Sequence, residues 1–237
     1  MSNNRSAELE KLFDEWRKRH ISEDYSNDKI SKNKISKNKI SKNKISKNKI
    51  SKNNFIPDGI IDEASYMQSP KKILFIAKEA ACLKEENTIE KNFEAAQNDG
   101  FWCRRVVLEG EGGTRFSSGL ALLANAILNE NFETPEKDIS ALRYVAFMNI
   151  NKRGGFTECE TDLDAYVEKY EDLIDREIKI ISPDIIVCCG MGVRDCLSGV
   201  DSCKSLPVLE VYHPSARYKT DTDRLKKLED ELKNAQS

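Results

Sequence analysis

Four short stretches of the 237-residue sequence carry side chains able to do chemistry. They are Lys78-Glu79-Ala80-Ala81, Asn149-Ile150-Asn151-Lys152-Arg153-Gly154-Gly155, Gly190-Met191-Gly192 and His213-Pro214-Ser215-Ala216-Arg217-Tyr218. Each follows an apolar run directly, and together they offer one carboxylate, amides, cations and one imidazole. If the apolar runs are parallel strands of one sheet, all four stretches fall on its carboxyl edge, where open α/β sheets bind ligands. Each stretch alone has a plainer use. Glu79 can pair with Lys78 or Lys84, Asn149 can cap a turn, Gly154-Gly155 can serve a tight loop, and His213 before a proline can bond to backbone. Gly190-x-Gly192 hints at a dinucleotide loop, but Asp195 stands at the third glycine position. What the stretches share is their order along four successive strand ends. His213 is one of two histidines, and the other, His20, lies outside the sheet region.

The elements that must position these groups are legible as alternating runs. Ile73–Ala77 is a short, continuous apolar run, as expected of a parallel strand covered on both faces, and Tyr144–Met148, Asp184–Cys189 and Pro207–Tyr212 read as three further strands. Between and after them, helical patterns occupy 88–97, 117–129, 162–180 and 222–234; the third carries Leu163, Tyr166, Val167, Tyr170, Leu173 and Ile174 on one side. This alternation predicts an α/β fold, a three-layer α/β/α sandwich around a mostly parallel four-stranded sheet. A further helix over residues 6–20 has Leu9, Leu12, Phe13 and Trp16 in one stripe, which suits a helix packed on the body. The expected organisation is this helix in 1–20, a basic linker in 21–57 and the α/β domain in 58–237.

The linker is compositionally distinct. Ile30-Ser31-Lys32-Asn33-Lys34 recurs as 35–39, 40–44 and 45–49 and begins again at Ile50. A period of five rotates successive isoleucines by about 140° around a helix and alternates them across a strand, so neither structure can bury them together. The segment reads as disordered. Residues 29–53 hold ten of the 38 basic residues and none of the 40 acidic ones, so the rest of the chain carries a net charge of −12. The arm is either a tolerated surface insertion or a collector of phosphates acting by counterion release. No apolar run approaches the roughly 18 residues needed to span a bilayer, and the first residues lack an apolar signal core. The seven cysteines form no Cys-x-x-Cys pair, which argues against a disulfide framework and a structural metal and points to a reduced, cytoplasmic setting.

The order of Ile73–Ala81, Val145–Arg153, Asp184–Gly190 and Val211–Arg217 resembles the uracil-DNA glycosylase superfamily, over about residues 70–220. Its iron–sulfur branch carries Gly-Glu-Ala-Pro-Gly after the first strand, where this sequence has Lys78-Glu79-Ala80-Ala81-Cys82. That branch has Asn-Val-Val-Lys-Cys at the end of the second strand, matched here by Asn149-Ile150-Asn151-Lys152-Arg153. The final His-Pro-Ser motif stands as His213-Pro214-Ser215. Lys78 replaces a glycine, Ala81 a proline and Arg153 the cluster cysteine. With no paired N-terminal cysteines, the resemblance implies no iron–sulfur cluster and no other cofactor.

The resemblance implies a DNA glycosylase-like hydrolase acting on a flipped base, damaged or modified and including uracil. Breaking an N-glycosidic bond builds positive charge on the sugar and negative charge on the base. Glu79 would face the sugar cation or its attacking water, and His213 would donate to the base oxygen, making these two the catalytic pair. Asn149 and Asn151 would read the base, with Phe101 or Trp102 stacking on it. Lys152, Arg153, Ser215 and Arg217 would contact the backbone of single- or double-stranded DNA. A non-catalytic nucleic-acid or nucleotide-binding module that kept the fold is the alternative. A nucleotide- or flavin-binding sheet protein follows only from fold analogy.

Overall fold

The computed structural model describes residues 4–22, 55–81, 115–155 and 162–235. Its order is α1 (Arg5–Ser22), β1 (Gly59–Ile60), α2 (Glu63–Gln68), β2 (Ile73–Ala81), α3 (Arg115–Leu128), a 3₁₀ turn (Ile139–Tyr144), β3 (Val145–Gly155), α4 (Leu163–Ile181), β4 (Ile185–Cys189), α5 (Val193–Cys196), α6 (Asp201–Lys204), β5 (Val208–Val211) and α7 (Asp221–Ala235). The protein is α/β, and the strands form one five-stranded, mostly parallel sheet in the order β1-β3-β2-β4-β5. The expected helix over 88–97 and the lysine-rich repeats lie outside the described residues.

Two expectations about the frame are corrected. The sheet has a fifth strand, β1, antiparallel to β3 through Gly59↔Phe147 and Ile60↔Ala146. Two residues are too few to leave an alternating pattern in sequence. Phe55 and Ile56, assigned by composition to the linker, are buried in the core, and the Ile56 amide donates to the Lys152 carbonyl at 2.7 Å.

β2 and β3 are longer than their apolar runs. Their pairing continues from Ala77↔Asn149 to Glu79↔Asn151 and, after a shift in register, Ala81↔Gly155. Pairing of β2 with β4 stops at Ile76↔Cys188, so the two polar stretches ride on a two-stranded extension beyond β4.

Side chains alternate along β3, and its two faces meet different helices. The Lys152 side chain reaches Glu177 of α4, and its ammonium lies 5.6 Å and 5.4 Å from the rings of Phe13 and Trp16 in α1. On the odd face, Phe147 packs edge-on to Phe116 of α3 at 5.5 Å. α7 packs against β5 and α3. Apolar burial along α1 (Leu9, Leu12, Phe13, Trp16) fixes that helix onto α4. Glu63 satisfies the start of α1 by accepting the Arg5 and Ser6 amides at 2.8 and 3.1 Å. At the other end, Arg19 grips Asp172 of α4 through two bonds of 2.6 and 3.1 Å. No helix among the described residues is long and apolar enough to cross a membrane.

Candidate functional site

Glu79 and Asn151 are opposite one another in the β2–β3 extension, and the Asn151 amide donates to Glu79 Oε2 at 2.9 Å. The Asn151 side-chain oxygen in turn accepts the Arg153 amide at 3.0 Å. Asn149 lies two residues earlier and is therefore on the same face of β3. It is 3% exposed, and its side-chain nitrogen has no hydrogen-bond partner among the described residues.

His213 enters from β5. Val211 pairs with Cys189, and the register of β2 with β4 carries that row on to Ala77. Glu79 and His213 each lie two residues beyond this row. Both lie at the carboxyl edge of the sheet, Glu79 within β2 and His213 just beyond the end of β5. Phe116 links the imidazole to the odd face of β3, its ring 5.5 Å from that of His213 and 5.5 Å from that of Phe147.

The His213 loop is held from three sides. The Ala216 amide donates to the His213 carbonyl at 2.9 Å, closing a turn with Pro214 in its second position, where a fixed φ is an advantage. Arg224 of α7 donates to the Ala216 carbonyl at 2.6 Å. Gly119 of α3 lies directly beneath: a Cβ there would sit 2.3 Å from the Pro214 carbonyl oxygen, so no other residue allows this approach. Ser215 defines the imidazole's tautomer. Its amide points at His213 Nδ1 at 3.3 Å and its hydroxyl lies 2.8 Å away. An amide can only donate, so Nδ1 accepts and the neutral ring carries its proton on Nε2. Burial, with Lys78 and Arg224 nearby, holds the imidazole below its ordinary pKa and keeps it neutral. Ser215 thus orients His213, a role the sequence had not suggested.

Two expected DNA contacts are corrected. Lys152 is 0% exposed, its ammonium held by Asp58 and by Glu177 at 2.9 Å, leaving no surface for a phosphate. Burial opposes its charge, but the two carboxylates more than offset this and raise its pKa; burial pushes the Glu177 carboxyl well above the usual range. Lys152 is thus enclosed between two buried carboxyl groups. Arg153 is 2% exposed and donates to the Tyr170 hydroxyl at 2.9 Å, its guanidinium 5.9 and 5.6 Å from the Tyr166 and Tyr170 rings. Arg217 is exposed. Phe101 and Trp102 lie outside the described residues.

His20 also belongs to the body. It is buried beside Trp16, Phe55 and Tyr170, with Nε2 3.1 Å from the Tyr166 hydroxyl. Burial, reinforced by Arg153, lowers its pKa to about 2. The Gly190-Met191-Gly192 loop is already occupied by an anion. Gly192 adopts φ +80°, and its amide and that of Arg194 point at Glu210 Oε1, at 2.8 and 3.4 Å. A dinucleotide phosphate would have to displace that buried carboxylate.

Phe116 is the residue missed in sequence; it sits one place before the serine taken as the start of its helix. Across the sheet, Glu168, Glu171, Asp172 and Asp175 of α4 and Asp201 line an open acidic hollow of about 420 Å³. That face repels a polyanion. Among the described residues, no group of three or more His, Cys, Asp or Glu is placed to hold a metal ion. The thiols of Cys196 and Cys203 are pushed up to about 12 by burial and stay protonated. No protein-family model matches the chain, and no curated protein matches it.

Proposed function

We propose that the protein is a DNA glycosylase-like hydrolase of the uracil-DNA glycosylase type, a three-layer α/β/α sandwich that cleaves the N-glycosidic bond of a flipped base. The observation that carries the reading is that Glu79, Asn149 and Asn151 share one face of the β2–β3 pair, while His213 follows β5 at the same edge with Phe116 between it and that face. Neutral His213 donates from Nε2 to the base oxygen on which negative charge develops. Glu79, oriented by Asn151, faces the sugar as its positive charge grows and orients the attacking water. The Asn149 side-chain nitrogen, without a hydrogen-bond partner among the described residues, donates to an acceptor on the base edge, and Phe116 offers the ring on which the base rests. Arg217 and the lysine-rich arm supply positive charge for the phosphates.

The test is incubation with single- and double-stranded oligonucleotides carrying uracil, hypoxanthine or other altered bases, followed by assay for abasic sites. Release from at least one substrate is expected. Removing residues 29–53 is expected to flatten the salt dependence of DNA binding. The bond from Asn151 to Glu79 favours a second reading, a binding module whose carboxylate is already engaged. Oligonucleotides that bind but stay whole would select it.

A further inference from the structure

Segment 55–61 runs along the outer edge of β3. The Ile61 amide donates to the Val145 carbonyl at 3.3 Å, β1 pairs through Gly59 and Ile60, and the Ile56 amide donates to the Lys152 carbonyl. Between these contacts the ladder is interrupted opposite Asn149. There the Asp58 side chain replaces a strand carbonyl: Oδ2 accepts the Asn149 backbone amide at 2.6 Å, and Oδ1 binds the Lys152 ammonium. Asp58 is 0% exposed. Lys152 is held in turn by Glu177, and its backbone amide donates to the Tyr166 hydroxyl at 3.2 Å. One carboxylate therefore grips β3 at residues 149 and 152. The stretch between includes Asn151, whose amide holds Glu79.

We propose that Asp58 is a positioning residue for the base-reading amides: its carboxylate pins the strand from Asn149 to Lys152, so that Asn149 presents its side-chain nitrogen to the ligand and Asn151 holds Glu79. This rests on the glycosylase-like reading only for the identity of the ligand. A strand freed at Asn149 can twist, and its buried amide donor can then turn toward another partner. A charge-assisted bond from a backbone amide to a carboxylate is stronger than the ladder bond it replaces, which suits a site needing fixed geometry.

Two measurements test the assignment. In the free protein, NMR of the Asn149 backbone amide should show a proton shifted strongly downfield. Asp58→Asn should move it upfield and shift the Asn149 side-chain amide signals, while Leu225 in α7 stays unchanged. An Asn149 amide proton at an ordinary shift, insensitive to Asp58→Asn, overturns the proposal whether or not any base is released. Where uracil- or hypoxanthine-bearing single strands are cleaved, Asp58→Asn should lower kcat/KM about tenfold alone and less than about twofold in an Asn149→Ala background. Equal losses in both backgrounds would make Asp58 structural only and overturn the proposal. If Asp58→Asn does not fold because Lys152 is left short of a counter-charge, Asp58→Asn with Lys152→Met removes that charge and is read in the same two ways. Failure of every oligonucleotide to react ends the glycosylase reading, and the NMR result then decides the role of Asp58.

Discussion

The two faces of β3 are built from the same residue types and put them to opposite uses. On the face toward α1 and α4, Lys152 pairs with Asp58 and Glu177, and His20 meets the Tyr166 hydroxyl, all of them buried. On the face toward α3, Glu79 and His213 remain partly accessible, Asn151 is buried against Glu79, and the Asn149 side-chain nitrogen has no hydrogen-bond partner among the described residues. Polar groups inside a protein are normally satisfied. Among the described residues, buried atoms without a hydrogen-bond partner occur on both faces, Trp16 Nε1 and His20 Nδ1 on one and Asn149 Nδ2 on the other, so the faces differ in accessibility: the first is buried, whereas Glu79 and His213 beside the second are partly accessible. The two histidines make the contrast within one residue type: His20 is sealed, whereas His213 is turned by Ser215 so that its Nε2–H is left to donate.

Breaking the closed face should cost most in stability. Lys152→Met leaves a buried carboxylate without its cation and should destabilise by about 3–5 kcal/mol in denaturant unfolding. A loss under about 1 kcal/mol would mean that the triad is not holding the face together. On the open face the cost should fall on activity. Glu79→Gln and His213→Ala should each reduce base release by on the order of 100-fold or more while shifting the unfolding free energy by less than about 1 kcal/mol. Equal losses of stability and rate would erase the distinction between the faces. Gly119→Ala should affect both, since its Cβ meets the Pro214 carbonyl backbone; a destabilisation of about 1–3 kcal/mol with a displaced His213 is expected, read by unfolding and by the imidazole NMR signals.

A separate prediction concerns pH. His20 is neutral in the folded protein, with its pKa lowered from 6.5 to about 2, whereas the unfolded chain takes up a proton near 6.5. Stability from this group is complete above pH 6.5 and is lost as pH falls toward 2, by about 1.4 kcal/mol per pH unit at most. His20→Gln should flatten that slope in unfolding curves collected between pH 4 and 7. An unchanged slope would assign the acid sensitivity to other groups.

Much of the frame is legible in the sequence because its signals are periodic. The apolar run Ile73–Ala77 and the stripe from Leu163 to Ile174 need only their own spacing to be recognised. β1 leaves no such trace, because what makes it a strand is β3 beside it. Phe116 lies one residue before the helical pattern read over 117–129 and so fell outside that element, whereas α3 begins at Arg115. The burial of Lys152 did leave a signal: it shares parity with Ala146, Met148 and Ile150 and so belongs to an apolar face. What sequence could not supply was the pair of carboxylates, Asp58 and Glu177, that make a lysine tolerable there, one 94 and the other 25 positions away.

The attachment of α1 has a practical consequence. Trp16 and Phe13 complete the apolar wall over the Lys152 ammonium, yet this helix reaches the body in sequence only across residues 23–54. Its seam is made of side chains and a borrowed cap from Glu63, none of which requires a covalent connection. The protein is therefore a natural candidate for fragment complementation: a free peptide of residues 4–22, added to the remainder, would report by its binding whether the core beneath β3 has been assembled.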